Sequence, residues 1–288
     1  MADDRNSPPT SVPELRGLLA AHGLHPKKSL GQNFLVDANV LRQIVRAAEV
    51  TRDDLVIEVG PGAGTLTEPL ALAARHVIAV ELDQNLVAIL RQTFVDRPNI
   101  TVVHADVLNL DIDKLLAAQP SLAYKVVANL PYYITSAAIR KFLDHRHKPS
   151  LMVLMVQQEV AQRILAKPGE LSLLAVSVQY YAAPTLVMRL PAGAFYPAPT
   201  VDSALVRLDV HAQPRTVSPQ RFFQVVSAGF SQKRKQLRNS LAGGLRISTS
   251  ESEDLLRRAG IDHQRRAQTL TLEEWERLAT SWPALPPR

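Results

Sequence analysis

Leu55-Val56-Ile57-Glu58-Val59-Gly60-Pro61-Gly62-Ala63-Gly64 is a short apolar run that breaks into closely spaced glycines. Such a run reads as a buried strand. Glycines directly after it let the backbone turn and approach a ligand closely before a helix starts, here through Leu66 and Leu70. The same unit repeats outward. Val77 to Val80 is the next strand, followed by a helix through Leu86 and Leu90, and further strands follow at Ile100 to Val103, Val126 to Ala128 and Leu151 to Val156. This alternation predicts an α/β fold whose parallel sheet is covered on both faces. Upstream, Asp37 can cap a helix with Val40, Leu41, Ile44, Val45 and Ala48 on one face. Downstream, Leu186 to Leu190 and Ala204 to Val210 read as late strands that pair as an antiparallel edge. After Pro214 the apolar spacing becomes helical, through Phe222, Val225, Val226, Phe230, Leu237, Leu241, Leu255, Leu256, Trp275 and Leu278. The expected organisation is a disordered tail over 1–12, a larger domain over 13–214 and a small α-helical domain over 215–288.

The 288 residues include no cysteine, which excludes disulfides and thiolate metal sites and fits a reducing, cytoplasmic setting. Met1 to Val12 carries Asp3, Asp4, Pro8 and Pro9 and lacks the apolar core of a secretory signal. The longest apolar stretch, Leu171 to Met188, is interrupted by Ser172, Ser177, Gln179 and Pro184, so no membrane span is expected. A formal charge of +6 favours a polyanionic partner. From Arg221 to Arg246 there are six basic residues, Lys233, Arg234, Lys235 and Arg238 among them, and no acidic one. A solvated helix face would give the same run.

Ligands of open parallel sheets sit at the carboxyl ends of the strands, and the candidate residues fall there: Gly60 and Gly62, Glu81, Asp106 and Asn129. In the dinucleotide fingerprint G-x-G-x-x-G the third glycine would stand where this chain has Thr65, so a nicotinamide or flavin is disfavoured; no G-x-x-x-x-G-K-[ST] occurs. Glu81 could accept from both ribose hydroxyls, or be a solvated acid at a strand end. Asp106 could take an adenine amino group, or cap the turn before Val107. The ligand these residues suit is an adenosine with no required pyrophosphate, and S-adenosylmethionine fits.

Asn129-Leu130-Pro131-Tyr132 directly follows the apolar run Val126-Val127-Ala128. It offers an amide oxygen, the carbonyls of Leu130 and Pro131, and a stacking ring, a set suited to a planar base with an exocyclic amine; an ordinary strand-to-helix turn is the plain alternative. Two acceptors holding the amine protons would turn the nitrogen lone pair toward a methylsulfonium carbon, and no general base is demanded. Phe195, in the proline-stiffened Phe195-Tyr196-Pro197-Ala198-Pro199, could complete a sandwich on the base opposite Tyr132, or plug the core beneath the loop. His145 and His147 lie among Arg140, Lys141, Arg146 and Lys148 and read as a wet basic surface, so no metal is expected.

Together with Lys28 to Leu35, Glu58 to Thr67, Val80 to Asp83, Phe195 to Ser203 and Gly229 to Leu241, these residues resemble the ribosomal RNA adenine N6-dimethyltransferase family, on its small-subunit branch of the KsgA type. The resemblance implies a Rossmann-like class I S-adenosylmethionine-dependent methyltransferase domain followed by a small helical domain. It implies that Asn33 and Leu35 close over the donor, that Gly60 lies against its methionine part, Glu81 holds the ribose and Asp106 the adenine, and that Asn129 serves donor and acceptor. The implied reaction dimethylates N6 of two adjacent adenosines in the 3′-terminal hairpin loop of 16S ribosomal RNA within an assembling small subunit. Ser231 to Lys235 would open a helix whose Lys233, Arg234 and Lys235, with Arg238, meet RNA phosphates. Tyr133 stands where members often carry asparagine. A monomer suffices. The nearest rivals are the sister enzyme acting on large-subunit RNA and an assembly factor that binds the donor without turnover.

Overall fold

Strands with no polar face survive only where both faces are covered, and that condition shapes the larger of two compact units in the computed structural model, which describes residues 7–27, 30–117, 119, 123–213 and 215–282. The unit comprises Met1–Ala161 and Pro184–Val210. It begins with α1 (Val12–Ala21), β1 (Phe34–Leu35) and α2 (Ala38–Ala47), followed by β2 (Leu55–Val59), α3 (Thr67–Ala73), β3 (His76–Glu81), α4 (Gln84–Thr93) and β4 (Ile100–His104). After α5 (Ile112–Leu116) come β5 (Tyr124–Asn129), α6 (Thr135–Asp144) and β6 (Leu151–Gln157); after α7 (Gln158–Ile164) and α8 (Leu173–Tyr181) come β7 (Ala182–Leu190), β8 (Phe195–Tyr196) and β9 (Ser203–Val210).

The main sheet has the order β4-β3-β2-β5-β6-β9-β7. Strands β4, β3, β2, β5 and β6 are mutually parallel, as the apolar runs predict, and β9 runs antiparallel to β6. The two late strands are neighbours, but only β7 is an edge. Its position explains why the strand starts before Leu186 and includes Pro184, whose missing N–H an edge strand tolerates. Asp37 caps α2 as expected, its carboxylate accepting from the amides of Asn39 and Val40. One apolar cluster joins Val40 and Ile44 of α2 to Leu70, Val127 and Val153; another joins Leu15 and Leu19 of α1 to Phe34, Leu86 and Ile89.

The expected tail over 1–12 is corrected in its second half. Pro8 and Pro9 are buried, and the Thr10 amide and hydroxyl both donate to Glu14 at 2.8 Å, an anchoring that composition does not reveal. Residues 1–6 lie outside the described residues, as does Pro214.

The second unit comprises Gln162–Ala183 and His211–Arg288, so residues 162–183 leave the larger unit rather than continuing it, and the linear division near Pro214 misses them. Here α8 is joined by α9 (Pro219–Phe230), α10 (Leu237–Leu245), α11 (Thr249–Arg258) and α12 (Leu272–Ser281). Tyr180 of α8 has its ring 4.3 Å from that of Phe222, and Phe230 stacks on buried Trp275 at 5.5 Å. Ser248 with Glu251 and Thr271 with Glu274 form capping boxes at the starts of α11 and α12.

Candidate active site

From β2 the sheet grows through β3 and β4 on one side and through β5 and β6 on the other. The chain therefore leaves β2 and β5 in diverging directions, and a crevice opens beyond their carboxyl ends. Gly60 follows β2 with φ 72°, and a Cβ placed on it would stand 3.3 Å from the Asn129 carbonyl oxygen. Gly62, with φ 58°, leaves room for the Phe34 ring, whose Cδ1 would be 3.0 Å from an added Cβ.

The structure brings Asn33, Leu35, Gly60, Gly62, Glu81 and Asp106 together with Asn129, Leu130, Pro131 and Tyr132 around one cleft that is open to solvent. Glu81 is 7% exposed. Its Oε1 accepts from the amides of Leu82 and Asp83, both at 2.9 Å, and its Oε2 from the Gly62 amide at 3.2 Å. Burial raises its pKa, and these amides offset the rise only in part. Asp106 caps the turn that follows, accepting from the Leu108 amide and the Asn109 side chain at 2.9 Å each, and it also lines the cleft.

The Asn129 side chain has a fixed orientation. Its Nδ2 donates to the carbonyl oxygen of Asn33 at 2.9 Å, so its Oδ1 is left as an acceptor. The sequence could not choose between the carbonyls of Leu130 and Pro131. In the fold, the Pro131 oxygen accepts from the Ile134 amide at 3.1 Å and the Thr135 hydroxyl at 3.2 Å, while the Leu130 oxygen has no donor among the described residues. The Tyr132 hydroxyl lies 3.1 Å from the hydroxyl of buried Ser203, which fixes the ring at its far end.

Phe195 is corrected. It is 5% exposed, pairs with Leu35 in the two-residue ladder of β1 and β8, and belongs to the apolar cluster with Val40 and Ile44. The ring is a core plug and does not line the cleft. A ladder this short has no periodicity to betray it in sequence. The basic run also differs from expectation. Lys233, Arg234 and Lys235 are exposed in the turn between α9 and α10 rather than opening a helix, and their side chains have no partner among the described residues. Arg238 is committed elsewhere, paired with Glu253 at 2.7 Å.

Glu58 was missed as a site residue because it looks like an ordinary position within β2. It is 1% exposed, lines the cleft, and its Oε2 has no hydrogen-bond partner among the described residues. Burial lifts its pKa to about 8. The nearby Thr67 hydroxyl, short of full hydrogen-bond geometry, offsets this weakly, and the Glu81 charge adds to it. Two buried carboxyls whose hydrogen-bond partners include no cation suit a ligand that is itself positive. An orphaned acid beside glycines too crowded to carry side chains, with a second acid still able to accept from hydroxyls, fits S-adenosylmethionine, whose methionine part carries an ammonium and a sulfonium.

Residues 23–281 match the model of a family described as ribosomal RNA adenine dimethylase. The chain is 45% identical over 285 residues to the Ribosomal RNA small subunit methyltransferase A of Dehalococcoides mccartyi strain CBDB1, covering 97% of this chain and 96% of that one. It is 45% identical over 268 residues to the protein of the same name in Moorella thermoacetica, covering 90% and 93%. Among solved structures it superposes on the 23S rRNA methyltransferase ErmE with a TM-score of 0.69 at 30% identity, over 86% of this chain and 99% of that one. A dimethyladenosine transferase from Plasmodium falciparum shares the fold, with a TM-score of 0.74 at 24% identity over 85% and 95%. With the glycine turn, the strand-end acids and the oriented Asn129 on one cleft, the chain belongs to the ribosomal RNA adenine dimethylase family and is an S-adenosylmethionine-dependent methyltransferase.

Proposed function

We propose that this enzyme dimethylates N6 of two adjacent adenosines in the 3′-terminal hairpin loop of 16S ribosomal RNA, in the cytoplasm, on an assembling small subunit. The observation that carries the reading is the Asn129 side chain, held through Nδ2 so that its Oδ1, with the Leu130 oxygen that has no donor among the described residues, can accept both protons of an exocyclic amine.

When bound, S-adenosylmethionine supplies an electrophilic methyl carbon on a sulfur that leaves readily. Gly60 and Gly62 admit its methionine part, Glu58 faces its positive groups, Glu81 accepts from the ribose hydroxyls, and Asp106 takes the adenine amino group while still capping its turn. Asn33 and Leu35 close the near wall. The Tyr132 ring stacks on the target base, and Oδ1 of Asn129 with the Leu130 oxygen hold its amine so that the nitrogen lone pair lines up with the methyl carbon. Positioning of this kind lowers a barrier by up to roughly 7–11 kcal/mol. Transfer would form the nitrogen–carbon bond as the carbon–sulfur bond breaks, and the surplus proton would pass from the nitrogen to solvent, with no side chain required as a base. All these residues come from one chain, so a monomer is complete.

Lys233, Arg234 and Lys235 serve the RNA phosphates, with the role of Arg238 reduced by its bond to Glu253. The names of the relatives at 45% identity support the small subunit over the large-subunit substrate of ErmE at 30%. The test is transfer of radiolabelled methyl groups to purified small and large subunits, followed by mass mapping of the modified nucleosides. Dimethyladenosine on small subunits is expected. Label on large subunits alone would support the sister activity, and subunit binding without label would support an assembly factor.

A further inference from the structure

Asp83 caps α4, yet its carboxylate does far more than a cap requires. It is 6% exposed, and although Oδ1 accepts from the Asn85 amide at 3.1 Å, the same carboxylate also holds two side chains from the segment before β1. Lys27 Nζ lies 2.9 Å from Oδ1 and 2.8 Å from Oδ2, and Gln32 Nε2 donates to Oδ2 at 3.0 Å. The segment is closed on itself, because the Lys27 amide donates to Gln32 Oε1 at 2.8 Å. By comparison, Asp37 caps α2 using only the amides of that helix.

The held segment is a strap over the cleft: Leu30, Gly31, Gln32, Asn33, Phe34 and Leu35 form one wall of it. It is pinned further along by Asn129 Nδ2 on the Asn33 oxygen and by the Thr65 hydroxyl on the Leu35 oxygen at 2.8 Å. Asp83 is the pin at the other end, and its own amide donates to Glu81 at 2.9 Å. One residue thus touches both the acid assigned to the ribose and the strap that orients Asn129.

We infer that Asp83 is a positioning residue, a latch that holds the strap down on the donor through Lys27 and Gln32 and sets how long the donor stays. The inference rests on the cleft being the donor site. Lys27 does not line the cleft and its side chain is 41% exposed, so Lys27→Met opens the latch without altering a wall. In the full-length enzyme, S-adenosylhomocysteine should dissociate from Lys27→Met about tenfold faster, the scale set by one lost charge-assisted hydrogen bond, with association unchanged. Lys27→Arg should restore slow release. Asp83→Asn, which keeps a capping side chain, should likewise speed release, and hydrogen exchange over residues 30–36 should lose its ligand-induced protection while the unfolding midpoint holds. Release as slow as wild type from both Lys27→Met and Asp83→Asn overturns the latch. Absence of S-adenosylhomocysteine and S-adenosylmethionine binding to the wild-type enzyme instead overturns the donor assignment on which it rests.

Discussion

Asn129 Nδ2 donates to the carbonyl oxygen of Asn33, 96 residues away in the chain, at 2.9 Å. The bond turns an amide that could sit either way round into one with its oxygen presented to the cleft. It also ties the N-terminal segment to the wall of the cleft, so a change in either element reaches the other.

Replacing Asn129 by Ala should lower kcat by about a hundredfold or more, the scale seen when one positioned polar group is removed from a transition-state site. The fold should survive, since the side chain is only half-buried. Asn129→Asp is the sharper variant. A carboxylate cannot donate to Asn33, so its orientation is lost while an acceptor oxygen remains, and single-turnover transfer should fall although donor binding persists.

Glu58 should make the ligand-free enzyme less stable as the pH rises. Its ordinary value is 4.5 and its folded value about 8, so the unfolded chain gives up this proton first. The group contributes its full share of stability below about pH 4.5 and loses it as the pH climbs through about 8. Glu81, also raised, acts in the same direction. Denaturant unfolding of Glu58→Gln at pH 6 to 9 should show a flatter decline than wild type, and equal slopes would remove the carboxyl from the account.

Tyr132→Phe keeps the ring but loses the bond to Ser203, whereas Tyr132→Ala removes the stacking surface, roughly 1–3 kcal/mol per base. Steady-state kinetics should therefore show a small loss for the first and a large one for the second. Phe195→Leu should instead lower the unfolding midpoint with little effect on transfer, because that ring lies in the core.

Neutral substitution of Lys233 and Arg234 should weaken RNA binding and flatten its salt dependence, by roughly 0.7 per lost phosphate contact on a single strand. Filter binding over a range of salt measures this. Arg238→Ala should leave the salt slope nearly unchanged and act on stability through Glu253.

The parallel sheet was legible because burial on both faces writes itself as unbroken apolar runs, and Glu81 and Asn129 were legible because they end such runs. What stayed hidden depends on partners distant in sequence. Nothing near Phe195 announces that it pairs with Leu35, and nothing near Arg238 announces Glu253. Glu58 was hidden for another reason. Its meaning lies in an absent bond, and only a packed interior reveals that a carboxyl oxygen has no partner.

Residues 162–183 depart between β6 and β7 and carry Tyr180 into contact with Phe222, a residue contributed from beyond β9. The helical appendage is thus inherited in two pieces, and a gene truncated after β9 would strand α8 with its aromatic partners gone. Grafting the stretch after β9 alone onto another scaffold would likewise part Tyr180 from Phe222, so the helical unit moves intact only with both of its stretches.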